Sequence, residues 1–219
     1  MPAHPSHDDR SPLVTGRTLP PLRSTKVWPA RGGLWCYDQW GRQGRPLVLI
    51  PAVLFGRTTW WPAAADLRPH ATVVAVDLPG HGGSAHRPRY DPDELVDDLA
   101  ELVAHLGLRR APVVVAHGSS AGLAARFAHR YAVHAVVTVD PYRPEHGDPA
   151  RYLRDMRPDP VPPHLRDLAT PVGDPELFAA YRRSMAPSPI GPPAVHEVPG
   201  RFAHLAALDC FVRDVRALL

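Results

Sequence analysis

Hydrophobic positions in this chain follow two different periods. Four runs, Leu47–Ile50, Thr72–Val76, Pro112–Ala116 and Ala135–Val139, are apolar without alternation. Strands covered on both faces read this way, so the runs predict a mostly parallel sheet. Leu95, Leu99, Leu102, Val103 and Leu106 instead repeat at helical spacing, behind the start signal Asp91-Pro92-Asp93-Glu94 and ahead of Gly107. Further helices are predicted over about Thr59 to Leu67, Leu123 to Tyr131 and Leu205 to Leu219. Lys26-Val27-Trp28 and Leu34-Trp35-Cys36-Tyr37, flanking Ala30-Arg31-Gly32-Gly33, predict an antiparallel hairpin at the sheet edge. Alternating strands and helices select an α/β fold, doubly wound, with helices on both sheet faces.

Pro141 to Pro193 breaks the pattern. It holds nearly half of the 28 prolines, and proline at that density excludes long helices and central strands. One helix is predicted there, about Pro175 to Met185, within an irregular lid over about 141–190. Met1 to Ser24, rich in Pro, His, Arg and Ser and without a continuous apolar segment, reads as a disordered tail and not as a secretory signal. Residues 25–219 then form one domain, since 219 residues at 44% hydrophobic content suffice for a single core.

Charge and cysteine usage narrow the partners. The net charge of +3 comes from scattered arginines, with Lys26 the one lysine, and makes no basic stripe. That argues against nucleic acid. No apolar run approaches the ~20 residues that span a bilayer, so no membrane partner is expected. Two distant cysteines fit a reducing cytoplasm. No His-x-x-x-His or Cys-x-x-Cys grouping occurs, so no metal and no cofactor are expected, and the partner is a small-molecule substrate.

The chemistry gathers after the third apolar run. Val113 to Ala116 leads into His117-Gly118-Ser119-Ser120-Ala121-Gly122 and then into the helix from Leu123. A strand, a tight turn carrying Gly-x-Ser-x-Gly and a helix make Ser120 the candidate nucleophile. The flanking Gly118 and Gly122 relieve crowding where strand meets helix. The amide of Ala121, at the positive end of the helix dipole, is a candidate oxyanion donor.

With the loop Asp77-Leu78-Pro79-Gly80-His81-Gly82-Gly83-Ser84 and the segment Leu49-Ile50-Pro51-Ala52-Val53 followed by Trp60-Trp61, the chain resembles an α/β-hydrolase over about residues 26 to 219. The resemblance implies a serine esterase or lipase-like enzyme with Ser120 as nucleophile and Ala121 and Val53 as the oxyanion amides. His81 reads as a loop histidine bonded within its own turn. Asp140, at the end of the fourth apolar run, is the first candidate for the acid, and Asp174, in the remnant Thr170-Pro171-Val172-Gly173-Asp174, is the second. The base is displaced: relatives read Pro-Gly-x-Gly-His-Phe-x-His-Leu, and this chain reads Pro199-Gly200-Arg201-Phe202-Ala203-His204-Leu205. Arg201 stands where the catalytic histidine is expected, and it cannot accept a proton at neutral pH. Trp60, Trp61 and Tyr142 are expected to line the pocket.

Two functions follow. If His204 reaches Ser120, the protein is a hydrolase of a small ester, thioester or lactone. If it does not, the triad is incomplete, and the protein is a non-hydrolytic relative that binds a ligand or acts as a cyclase-like enzyme of small-molecule biosynthesis.

Overall fold

The structure, a computed structural model, describes residues 23–142, 148–186 and 195–219. Seven strands form one sheet in the order β1-β2-β4-β3-β5-β6-β7. They are β1 (Arg23–Ala30), β2 (Gly33–Trp40), β3 (Arg45–Ile50), β4 (Ala71–Val76), β5 (Val113–His117), β6 (Ala135–Val139) and β7 (Val195–Val198). The predicted hairpin is present, β1 to β2 and β2 to β4 are antiparallel, and every pair from β4 to β7 is parallel. Because the side-chain period of a strand is two, Val48, Ile50, Val114 and Ala116 serve one core, and Leu47, Leu49, Val113 and Val115 serve the other.

Helices α2 (Pro92–His105) and α3 (Ala121–Arg130) cover the first face, and α1 (Trp61–Leu67) and α8 (Leu208–Arg216) the second. The start signal of α2 works as read: Asp91 accepts from the amides of Asp93 and Glu94. Among the described residues no helix is long and apolar enough to cross a membrane.

Several elements differ from the sequence reading. Arg23 and Ser24 belong to β1, so the expected tail boundary moves back; residues 1–22 lie outside the described residues. The predicted lid contains a second helix, α4 (Pro149–Asp155), whose signal is Asp148 capping the amide of Ala150 with Pro149 at the first position. The expected helix from Pro175 to Met185 divides at Tyr181 into α5 (Pro175–Ala180) and α6 (Arg182–Met185). The C-terminal helix divides at Ala207 into α7 (Ala203–Ala206) and α8, because Ala207 leaves the helical region at φ −132°, ψ 49°. Residues 143–147 and 187–194 of the predicted lid lie outside the described residues.

A buried ionic network ties the loops at the C-terminal edge of the sheet. The Arg57 guanidinium pairs with Asp77 and, at 3.0 Å, with Asp38. Asp77 also accepts from the amides of Arg57 (2.7 Å) and Gly83 (2.8 Å), joining the loop after β3 to the loop after β4. Asp38 accepts from Trp61 Nε1 at 2.8 Å. Arg57→Met would leave two buried carboxylates without their cation and is expected to lower unfolding stability by about 3–5 kcal/mol, read as a drop in the urea midpoint.

Candidate active site

Strand β5 ends at His117, and the backbone turns at Gly118, which has φ +54°. That is the left-handed region, open to glycine at little cost. The apex of the strand-turn-helix is therefore Gly118, two residues before the predicted nucleophile. A Cβ at 118 would meet Met156 Cε at 2.9 Å and Ala52 Cβ at 3.3 Å, so the thioether of Met156 lies where a nucleophilic side chain would project. Gly122 answers a different constraint: a Cβ there would meet the carbonyl oxygens of Ala186 at 2.6 Å and Ser184 at 2.8 Å.

Ser120 is not at the apex. It has φ −84°, ψ 0°, in the turn that opens α3, is fully buried, and its Oγ donates to the carbonyl of Pro51 at 2.6 Å. The amide of Ala121, expected as an oxyanion donor, donates instead to the carbonyl of Gly118. The amide of Val53 donates to Ser119 Oγ at 3.0 Å. Ser119 Oγ in turn lies 2.9 Å from the Tyr152 hydroxyl, which donates to the Val53 carbonyl at 2.7 Å. Val53 N–H to Ser119, Ser119 O–H to Tyr152 and Tyr152 O–H to Val53 C=O form a closed ring in which every proton is used. Burial holds the Tyr152 phenol above its ordinary pKa, so the ring stays neutral.

The structure does not bring the predicted triad together. His204, on α7, is fully buried against Trp60, ring centroids 4.0 Å apart, and against His117 at 4.8 Å. Neither ring nitrogen of His204 meets a hydrogen-bond partner, so it is not bonded to Ser120. Burial first and the neighbouring His117 second push its pKa well down. Asp140 is at the end of β6 as expected, half-buried, with φ +46° and its amide on the carbonyl of Val198 at 3.0 Å. Asp174 caps α5 through the Leu177 amide at 2.9 Å, and Thr170–Asp174 is not a strand. The strand after β6 in the sheet is β7, which runs straight into Pro199-Gly200-Arg201.

The remaining candidates divide between chemistry and packing. Arg201 Nη1 donates to the Asp155 carbonyl at the C-terminus of α4, at 2.9 Å, where the helix dipole favours a cation. Tyr142 lies beside the apex, its amide on the Gly118 carbonyl at 3.1 Å and its hydroxyl on Asp155 at 2.9 Å. Trp60 is in the core, not in a pocket wall, and Trp61 is held by Asp38. His81 is the loop histidine expected: Nε2 accepts from the Leu54 amide at 2.8 Å and Nδ1 contacts the Pro79 carbonyl at 3.0 Å. Burial lowers its pKa, which keeps this neutral tautomer.

The residues that shape the site and were not singled out are Gly118 as apex, Ser119, Tyr152 and Met156. The first was within reach, because the apolar run continues through the small Ala116 to His117, and the residue after a strand end is where the turn must begin. Tyr152 and Met156 carried no local signal.

The sequence comparisons agree with this architecture. Residues 47–218 match the profile of the alpha/beta hydrolase family. The chain is 36% identical over 76 residues to the dihydrolipoyllysine-residue acetyltransferase component of the acetoin cleaving system of Pseudomonas putida, over 34% of this chain and 20% of that protein. It is 33% identical over 105 residues to a non-heme haloperoxidase of Rhodococcus erythropolis, over 43% and 35% of the two chains. The match thus spans about a fifth and a third of these relatives. The fold is similar to that of E-2-(acetamidomethylene)succinate hydrolase, with TM-score 0.72, 16% identity and coverage of 90% and 99%.

The ring at Val53 gives a direct measure of its own worth. Tyr152→Phe leaves the buried Val53 carbonyl and Ser119 hydroxyl each short of a partner, and is expected to destabilise the fold by roughly 1–3 kcal/mol in urea denaturation.

Proposed function

The chain belongs to the alpha/beta hydrolase family, and we propose that it is a non-hydrolytic member that binds a small molecule without forming an acyl-enzyme. One observation carries this reading: Gly118, at φ +54°, occupies the apex at which the family's nucleophile elbow presents its serine. A second supports it, since Arg201 stands at the position of the catalytic histidine and reaches α4 instead. The two hydroxyls near the apex are both committed, Ser119 to Tyr152 and Ser120 to Pro51. Neither meets an imidazole, and without a base a serine hydroxyl is a weak nucleophile.

Retained strain supports use of the site. Leu54 (φ 68°), Asp140 (φ 46°) and Phe202 (φ 52°) are non-glycine residues in the left-handed region, and all three lie in loops at the C-terminal edge of the sheet. Each such residue is held at a cost of about 1–3 kcal/mol, and this strain concentrates where a fold binds or reacts. The same edge is where open α/β sheets bind ligands. A cytoplasmic location goes with the reading, supported by the two free thiols Cys36 and Cys210. Ester hydrolysis through Ser120 has family membership in its favour and the placement of Ser120 against it.

One experiment separates the two. An activated phosphonate is expected to leave the protein unlabelled, and hydrolysis of activated esters is expected to run several orders of magnitude below that of a complete triad. Gly118→Ser with Arg201→His is expected to gain labelling at residue 118, because the flexible end of Met156 can move aside and Ala52 Cβ, at 3.3 Å, need give by only a few tenths of an ångström. Labelling of Ser120 in the native protein, lost in Ser120→Ala, would overturn the proposal.

A further inference from the structure

Behind the elbow, on the side of the sheet away from α3, two histidines face each other with nothing to bond. His117 and His204 are fully buried, their ring centroids 4.8 Å apart and their planes at 68°. All four imidazole nitrogens and the indole nitrogen of Trp60 lack a hydrogen-bond partner among the described residues. The walls of the site are aromatic: Trp60 stacks on His204, Phe55 and Phe202 approach His117 at 6.4 and 4.6 Å, and Phe211 lies 6.1 Å from His204.

We propose that His117 and His204 form an acid-sensitive latch, which holds α7 and α8 to the sheet while both rings are neutral and releases them when the rings gain protons. The two rings join the end of β5 to α7, and α7 is a single turn of four residues entered from Phe202 at φ +52°. No carboxylate is at hand to accommodate an imidazolium. Arg57 on the neighbouring turn is committed to Asp38 and Asp77, and Arg201 to Asp155. Asp66 on α1 and Asp209, Cys210, Arg213, Asp214 and Arg216 of α8 are exposed to solvent. Burial lowers the pKa of His117, and burial followed by the neighbouring His117 lowers that of His204.

The sign follows from the direction of these shifts. His117 is pushed down to about 3 and His204 well below its ordinary value, whereas both return to about 6.5 once the cage opens. Stability is therefore complete above the open-state value and declines as pH falls through it. Each ring shifts the opening equilibrium about thirtyfold between pH 7.5 and 5, and the pair roughly a thousandfold.

The test is urea denaturation of the whole protein between pH 7.5 and 5, with hydrogen exchange read at the α7–α8 amides. The latch predicts that the opening constant read by exchange at α7–α8 rises about a thousandfold, that this exchange accelerates ahead of β3 and β5, and that His204→Phe removes about thirtyfold of the rise. Should His204→Phe not fold, NMR titration of the imidazoles in the native protein decides, the rings of His117 and His204 staying neutral at pH 5 in the folded state. His117 and His204 titrating near 6.5 while folded, a pH slope unchanged in His204→Phe, or exchange that accelerates uniformly across the sheet would each overturn it.

Discussion

The left-handed turn at Gly118 is the constraint on which the site depends. Strand β5 must reverse into α3 within a few residues, and the carbonyl of Gly118 becomes the anchor for that reversal, accepting from the amides of Ala121 and Tyr142. Once the apex is fixed there, Ser119 is thrown back toward the loop after β3 and Ser120 enters the first turn of the helix. Ser120 then has one polar partner within reach, the carbonyl of Pro51. The same geometry that makes this stretch recognisable as an elbow leaves its serines facing the wrong way for attack.

Buried polar groups account for what fills the space. An oxyanion hole needs amides that point at an unoccupied position. Here the Val53 amide is satisfied by Ser119, and the loop that carries it is stapled by His81 at Leu54 and by Asp77 at Arg57. A donor left unpaired in a dry interior is costly, and with a glycine at 118 the ring through Tyr152 satisfies the Val53 amide, the Ser119 hydroxyl and the Val53 carbonyl together. Helix α4 supplies Tyr152, Met156 and the carbonyl for Arg201 within a span of five residues, which couples the closure of the elbow to one short helix.

How much was legible from the sequence followed from the range of each interaction. The sheet, its parallel character and the N-terminal hairpin rest on local apolar periods, and the capping of α2 on Asp91 and Glu94; these read correctly. Helix α4 had a local signal in Asp148 and Pro149, but the placement of its Tyr152 depends on a distant segment, since Tyr152 reaches Val53 across the molecule. The misplacement of the apex has a simpler origin. Gly118-x-Ser120-x-Gly122 satisfies the motif by composition, but Gly118 is there for its left-handed backbone and Gly122 for the carbonyls of α6, so two unrelated constraints imitate one pattern. Asp140 read correctly in place because a strand end is a local feature, whereas the partner it was expected to orient is set by a loop shortened elsewhere.

The strand period links the elbow to the pair of histidines behind it. Along β5, Val113 and Val115 belong to one core and Val114 and Ala116 to the other, so His117 falls on the side of Trp60 and His204. The next position, 118, must then face the opposite side, toward Met156. A nucleophile at 120 would need two further extended residues, and the chain has already begun to coil: Gly118–Ser120 is a single 3-10 turn. The register that buries His117 against His204 is therefore the same register that puts a glycine at the apex. Neither feature can shift by one residue without exchanging the faces of the whole strand, so the apolar packing of β5 fixes both the closed elbow and the unpartnered imidazoles.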